Sequence, residues 1–201
     1  VFDELFTLET GLMYMKSDDS DVTGISIDVS KGDEFISKLP FELTSGQRES
    51  WNEIKDDLQK PKKMNRLLQG DVGSGKTIIA EAAMLSAAAS GFQSVIMAPT
   101  ELLARQHFDT FVKDLSDHEI SPVILISSMK ASDKRMAMES ISSGKAKVII
   151  ATHAVLEENI VFKNLGLVIT DEQHRFGVNQ RRKLSGKGEG VNILVMTATP
   201  I

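Results

Sequence analysis

The stretch of this chain that decides its fold is Gly70-Asp71-Val72-Gly73-Ser74-Gly75-Lys76-Thr77. It fits the pattern G-x-x-x-x-G-K-T, follows a β-like run and precedes the alanine-rich segment 77–90. Glycines in this pattern let backbone N–H groups surround the α- and β-phosphates, and the following helix adds partial positive charge at its N-terminus. We expect Lys76 to reach the β- and γ-phosphates and the Thr77 hydroxyl to bind Mg²⁺. The stretch therefore predicts a strand, a phosphate-binding loop and a helix.

A second motif ends a later apolar run. Residues 165–170 are almost entirely apolar and lead directly into Asp171-Glu172-Gln173-His174. Carboxylates at the end of a buried parallel strand face the edge of the sheet where ligands bind. Asp171 is suited to holding Mg²⁺, and Glu172 is placed to activate the attacking water. The two motifs together predict hydrolysis of a nucleoside triphosphate.

Apolar runs of strand length alternate with segments of helix length from residue 39 onward. Strands are predicted at 94–98, 123–127, 147–151, 167–170 and 193–197. Helices are predicted after the N-cap Thr44, over 77–90, from Thr100 to about 115, and over 132–143. This order predicts an α/β fold of the P-loop NTPase class, with a mainly parallel sheet covered by helices on both faces. All the chemical motifs then lie at the carboxyl ends of strands.

The first residues form a separate segment in this scheme. Val1, Leu5, Leu8 and Leu12 have helical spacing and predict an amphipathic helix. Residues 17–34 are rich in Asp, Ser and Gly and predict a linker, with a short strand at 25–29. We therefore divide the chain into an N-terminal helix and linker, residues 1–38, and an ATP-binding domain, residues 39–201.

Composition narrows the function classes. With 201 residues and 41% hydrophobic content, the chain can bury one core of ordinary size. It has no cysteine, which excludes disulfides and thiol catalysis, and its four histidines lack metal-ligand spacing. A net charge of −5 argues against a uniformly basic nucleic-acid surface but not against a local track. We expect a cytoplasmic protein, and a first residue other than Met suggests a piece of a longer chain.

The segment before the loop bears on the choice of base. The run from Leu39 to Gln47 resembles the Q motif of helicases. The Gln47 amide can donate to and accept from an adenine edge, and the Phe41 ring can stack on the base. A capped helix start with Phe41 as its hydrophobic staple is the alternative, and the two interpretations are compatible. No Asn-Lys-x-Asp guanine motif occurs, so ATP is favoured over GTP.

Taken together, the motifs resemble the RecG family of superfamily 2 DNA translocases. The resemblance rests on residues 64–77, 98–103, 171–178 and 196–201 and covers residues 39–201. The transcription-repair coupling factors are the nearest alternative, and Gln173 and the Leu-Leu-Gln-Gly run before the loop favour RecG. The resemblance implies the first RecA-like lobe of an ATP- and Mg²⁺-dependent motor that remodels stalled forks and Holliday junctions.

The resemblance also implies roles for further residues. Those that would couple the ATP state to DNA are Gln173, His174, Thr197 and Thr199. Those that would lie along the DNA track are Pro99, Thr100, Glu101, Thr152 and His153. A second RecA-like lobe with an arginine finger, and a wedge domain that engages the junction, would belong to the rest of the parent chain. A nucleotide-gated binding module without turnover remains the alternative for this segment alone.

Overall fold

A computed structural model describes residues 23–118, 120–171, 183–184 and 186–198. From residue 45 to residue 151, helices and strands alternate as the sequence predicts. The helices are α1 (Ser30–Ser37), α2 (Ser45–Gln59), α3 (Lys76–Ala89), α4 (Glu101–Asp114) and α5 (Ala131–Ser142), with 3₁₀ turns at Ser116–His118 and His153–Leu156. The strands are β1 (Asn65–Gln69), β2 (Gln93–Met97), β3 (Val123–Leu125), β4 (Val148–Ala151), β5 (Leu165–Asp171) and β6 (Asn192–Thr197).

The six strands form one sheet in the order β1-β6-β5-β2-β4-β3. Every neighbouring pair in this sheet is parallel, which confirms the predicted fold class. Strand β6 alone separates β1 from β5. The loop that follows β1 and Asp171 at the end of β5 therefore lie at the same edge of the sheet.

The sheet buries apolar side chains on both faces. Along β4, for example, Val148 and Ile150 belong to one core cluster, whereas Ile149 and Ala151 belong to the other. Buried residues of α1, α2, α3 and α4 complete the first cluster, and α5 packs in the second. Because successive side chains of a strand point to opposite faces, this alternation shows that helices cover both sides.

Helix α3 is the most deeply buried helix of the domain. Its sequence is rich in alanine, and residues 79–88 are all buried. Small side chains allow the close approach to the sheet and to α1 that this burial requires. Gly32 of α1 lies so close to α3 that an added Cβ would come within 2.7 Å of the Ala82 carbonyl oxygen.

The segment predicted as a linker differs from expectation. Residues 30–37 form helix α1, which packs on α3, and Ile27 and Val29 before it are buried in the first core cluster. Instead of the short strand at 25–29, there is a single antiparallel bridge between Thr23 and Lys62. The amphipathic helix predicted for residues 1–16 lies outside the described residues, and the boundary at residue 38 stays a prediction. No helix in the described ranges is both long and apolar enough to cross a membrane.

Candidate nucleotide-binding site

The loop Gly70–Thr77 starts where β1 meets β6. Gln69 is in register with Thr197, and the Gly70 N–H donates to the Thr197 carbonyl at 3.2 Å. Thr197 itself is buried, with 1% of its surface exposed. The predicted coupling residue Thr197 and the predicted phosphate loop are therefore joined by a backbone hydrogen bond.

Two glycines in the loop adopt backbone conformations that other residues rarely take. Gly73 and Gly75 have φ angles of 79° and 81°, a left-handed conformation that side chains with a Cβ rarely adopt. Gly75 is also the N-cap of α3 and provides no side-chain cap. The first N–H groups of α3 are thus left without the usual side-chain acceptor, which is the arrangement that binds phosphate at helix N-termini.

Lys76 lies across the loop. Its Nζ donates to the carbonyl oxygens of Gly70 at 2.6 Å and Asp71 at 2.8 Å. These neutral acceptors hold the ammonium over the loop without neutralising its charge. A phosphate oxygen is a stronger, charged acceptor and can replace either carbonyl. The loop glycines, the uncapped helix and this ammonium fit a bound triphosphate.

Gln47 supports the loop from α2. Its Oε1 accepts from the Thr44 N–H at 2.9 Å, and its backbone N–H donates to Thr44 Oγ1 at 3.3 Å, which completes a capping box. Its Nε2 donates to the Ser74 carbonyl at 2.7 Å. Sequence reasoning identified Thr44 as the cap but not the bond to Ser74, which joins residues 27 positions apart. The adenine role of Gln47 stays a prediction.

Phe41 lies in a different environment from Gln47. It is 50% exposed and lines a groove of about 590 Å³ together with Arg48, Trp51 and Lys55, whereas Gln47 is not among the lining residues. The staple role considered for Phe41 is wrong, because the buried residue directly before the cap is Leu43. The exposed ring keeps a face available for stacking, and its adenine role stays a prediction.

Asp171 has a partner that the sequence did not reveal. Its Oδ2 lies 2.8 Å from His107 Nε2, and the side chains are 18% and 11% exposed, respectively. Since a carboxylate has only acceptor sites, this bond requires the proton on Nε2. Thr77, the other predicted Mg²⁺ ligand, is half-buried in the first turn of α3. A hydroxyl and a carboxylate are oxygen ligands of the type that Mg²⁺ takes.

The residues assigned to the DNA track have their own local contacts. Thr100 Oγ1 accepts from the Leu103 N–H at 3.3 Å and caps α4, while half-buried Pro99 precedes it. Glu101 accepts from the Ser128 N–H at 3.0 Å and from its hydroxyl, and these bonds, the hydroxyl's foremost, lower the pKa of its carboxyl. Glu101 is thus anionic, which disfavours direct contact with a phosphate.

The turn after β4 holds two residues assigned to the DNA track, and they differ in exposure. His153 is exposed, but Thr152 is 1% exposed and its Oγ1 has no hydrogen-bond partner among the described residues. The track role of both residues stays a prediction. The remaining predicted site residues lie outside the described ranges and stay predictions; they are Glu172, Gln173, His174 and Thr199.

The matching family model and two curated relatives of this chain are all helicases. A model of the DEAD/DEAH box helicase family matches residues 44–201. The ATP-dependent DNA helicase RecG of Staphylococcus epidermidis is 46% identical over 100% of this chain and 30% of its own length. The RecG helicase of Thermotoga maritima is 45% identical over 100% of this chain and 26% of its own length. The chain thus spans less than a third of the curated relatives that it matches.

Solved structures agree with this similarity. A structure of RecG bound to a three-way DNA junction has a TM-score of 0.84 at 42% identity, over 100% of this chain and 27% of that one. The UvsW helicase of bacteriophage T4 has a TM-score of 0.62 at 17% identity, over 88% of this chain and 62% of that one, and shows the shared fold alone. Because the family match extends over most of its residues, the chain belongs to the DEAD/DEAH box helicase family.

Proposed function

We propose that this chain is the ATP-binding motor lobe of an ATP-dependent DNA helicase or translocase that remodels branched DNA in recombination and repair. The family match supports ATP use and helicase chemistry. Similarity to RecG over the whole chain, including a structure of RecG with a three-way DNA junction, supports branched DNA as the substrate. The parent chain would supply a second RecA-like lobe and a wedge domain, and would act in the cytoplasm.

The observation that carries the nucleotide assignment is the state of the loop after β1. Its two left-handed glycines, the uncapped start of α3 and the Lys76 ammonium on neutral carbonyls form a positive, donor-rich pocket. Anions bind at such helix N-termini because both backbone donors and the helix dipole favour negative charge. A triphosphate is the ligand that uses all three features.

Within this proposal, each site residue has a role. Residues Gly70 to Thr77 bind the phosphates, with Lys76 exchanging its loop carbonyls for phosphate oxygens. Thr77 and Asp171 hold Mg²⁺, which neutralises charge on the phosphate oxygens when bound. Glu172 orients and deprotonates the attacking water, and the coupling and track residues named above transmit the ATP state to DNA.

The base would be read by the segment before α2. The Gln47 amide accepts from the Thr44 N–H and donates to the Ser74 carbonyl, which leaves one Nε2 hydrogen and one Oε1 lone pair for the adenine edge. The bond to Ser74 would link the base-reading amide to the phosphate loop. Phe41, half-exposed on its groove, would stack on the base.

The test is a comparison of Lys76→Ala with Lys145→Ala. Lys145 is an exposed lysine just before β4, at the opposite end of the strands from the loop. We expect Lys76→Ala to weaken ATP binding by at least tenfold, because charge-assisted bonds contribute about 1.5–3 kcal/mol each, and Lys145→Ala to leave it unchanged. Calorimetric titration of each variant with ATP measures this.

The same variants in the parent chain test the helicase assignment. Hydrolysis stimulated by a synthetic fork should be lost with Lys76→Ala and retained with Lys145→Ala. If branched DNA does not stimulate ATP hydrolysis, the RecG assignment is contradicted. If RNA polymerase stimulates hydrolysis instead, a motor of the transcription-repair coupling factor type is favoured. Tight ATP binding with no turnover in the parent chain would point to the nucleotide-gated binding module.

A further inference from the structure

The contact between His107 and Asp171 is the feature that the proposed function does not use. It joins the middle of α4 to the end of β5, across 64 residues of sequence, with Nε2 and Oδ2 2.8 Å apart. Both side chains are mostly buried, with 11% and 18% exposed, so water does not compete freely for the bond. No sequence motif connects the two positions.

The backbone of Asp171 is already fixed by the sheet. Asp171 is in register with Met196 of β6, and Thr170 before it is in register with Met97 of β2. The remaining freedom is the orientation of the carboxylate. The bond from His107 removes that freedom, and it occupies Oδ2 while leaving Oδ1 for a ligand.

The His107 ring is itself held in place. It meets the ring of Phe111 edge to face, with centroids 6.4 Å apart and an interplanar angle of 84°. Phe111 is fully buried and lies one turn further along α4. The donor is therefore set by a packed aromatic pair rather than by a mobile surface side chain.

We propose that His107 is a positioning residue that orients the Asp171 carboxylate for Mg²⁺ and ties helix α4 to that carboxylate. This inference rests on the proposed function, since it requires Asp171 to hold Mg²⁺ beside the nucleotide. Hydrogen bonds that orient a metal-binding side chain are typically responsible for a 10–100-fold difference in metal affinity or activity. Helix α4 begins at Thr100 and Glu101, so any shift of this helix reaches Asp171 through His107.

The test separates metal dependence from nucleotide binding. For each variant, the affinity for a non-hydrolysable ATP analogue is measured by calorimetry with Mg²⁺ and with EDTA, and the ratio of the two affinities is compared. His107→Leu and His107→Asn remove or shorten the donor. His107→Gln keeps an amide N–H with a reach closer to that of Nε2. Gln106→Leu, at an exposed neighbouring position on α4, is the matched control.

We expect His107→Leu and His107→Asn to lower the Mg²⁺-dependent ratio by about tenfold or more while the affinity in EDTA stays within about twofold. His107→Gln should recover most of the ratio, and Gln106→Leu should match the unchanged protein. Adding His107→Leu to Asp171→Asn should cause no further loss, because the two residues act through one carboxylate.

Three results would overturn the proposal. An unchanged ratio in both His107→Leu and His107→Asn would show that the bond does not prepare Asp171. An equal loss of affinity with and without Mg²⁺ would assign His107 a merely structural role. If the losses caused by His107→Leu and Asp171→Asn add in the double variant, His107 does not act through the Asp171 carboxylate. If the unchanged protein shows no Mg²⁺ dependence at all, the Mg²⁺ role of Asp171 fails first, and the two failures are thereby distinguished.

Discussion

Helices α3 and α4 begin at the same edge of the sheet but in opposite ways. Helix α3 starts at Gly75, a left-handed residue that gives no side-chain cap. Helix α4 starts at Thr100, whose Oγ1 accepts from the Leu103 N–H, and its next residue, Glu101, is bound to Ser128. One helix starts without a side-chain cap, whereas the other satisfies its Leu103 N–H with the Thr100 hydroxyl.

The difference gives the two helix starts different tasks: the start of α3 is open to a ligand, and the start of α4 is stabilised by its own cap. Compared with a Ser or Thr cap, the glycine cap of α3 costs roughly a few tenths of a kcal/mol, at the point where a phosphate would bind. Burial of α3 against the sheet and α1 offsets the loss. Helix α4 keeps its cap and holds His107 rigidly against Asp171.

The largest effect should come from placing a Cβ at Gly75. In Gly75→Ala the new Cβ would lie 2.3 Å from Gln47 Nε2, and the φ of 81° is strained for alanine. We expect ATP affinity to fall on the order of 100-fold, because the strained backbone at residue 75 would displace loop N–H groups that donate to the phosphates. Calorimetric titration measures the loss.

Gly91→Ala is the matched control. Gly91 follows α3 at a similar φ of 86°, but a Cβ there meets nothing within 4 Å. It should lower the free energy of unfolding by about 1–2 kcal/mol and leave ATP affinity unchanged. Equal affinities for the two variants would show that the uncapped start of α3 is not the phosphate site.

A second effect concerns the interior of α3. Burial, and then the nearby Asp114 at the end of α4, raise the pKa of Glu81 to about 8, and its Oε1 has no partner among the described residues. In the unfolded chain the Glu81 carboxyl loses this proton near its ordinary pKa of 4.5. Below about pH 4.5, Glu81 is protonated in both states, so it makes the free energy of unfolding neither rise nor fall with pH. Between about pH 4.5 and 8 only the folded state keeps the proton, and the free energy of unfolding falls as pH rises.

Glu81→Gln should remove this fall, since an amide does not titrate. The difference in free energy of unfolding between the variant and the unchanged protein should move in favour of the variant by up to about 1.4 kcal/mol per pH unit in that window. Urea denaturation at pH 5, 6.5 and 8 measures it, with Glu49→Gln, an exposed carboxyl of α2, as control. A difference independent of pH would show that Glu81 is not buried as a neutral acid.

The smallest effect should come from the cap of α4. Thr100→Ala removes the acceptor for the Leu103 N–H, and we expect the free energy of unfolding to fall by about 1 kcal/mol. Thr100→Ser keeps the hydroxyl and should restore most of it. Thermal and urea denaturation measure both variants. If Thr100→Ala is as stable as the unchanged protein, α4 does not depend on its cap and the contrast with α3 is weaker than the geometry suggests.

The sequence predicted elements whose signal is local. The five strands predicted after the glycine loop are short apolar runs, and β2 to β6 agree with these runs to within a few residues. Thr44 was identified as a cap because the residue type and the apolar positions that follow it suffice for that prediction. The glycine loop was recognisable because its conformation demands glycine at fixed spacing.

Features that depend on distant residues were not predictable in this way. Helix α1 is short and mostly polar, and it is held by tertiary contacts: Gly32 lies against α3, and Trp51 of α2 donates to Asp33. The bond from Gln47 to Ser74 and the pair of His107 with Asp171 join positions far apart in sequence. No local sequence pattern predicts these two contacts, because each depends on how distant segments of the chain pack together in the folded domain.

That strand order has a consequence for how the domain forms during synthesis. Among the described residues, β1 precedes the other five strands in sequence, yet its neighbour in the sheet is β6, which follows them. The Met64 N–H, just before β1, donates to Asn192 Oδ1, a partner 128 residues away. Contacts of such long range form slowly and late. The loop after β1 therefore gains its backbone bond to Thr197 only after β6 has been translated and has paired with β1.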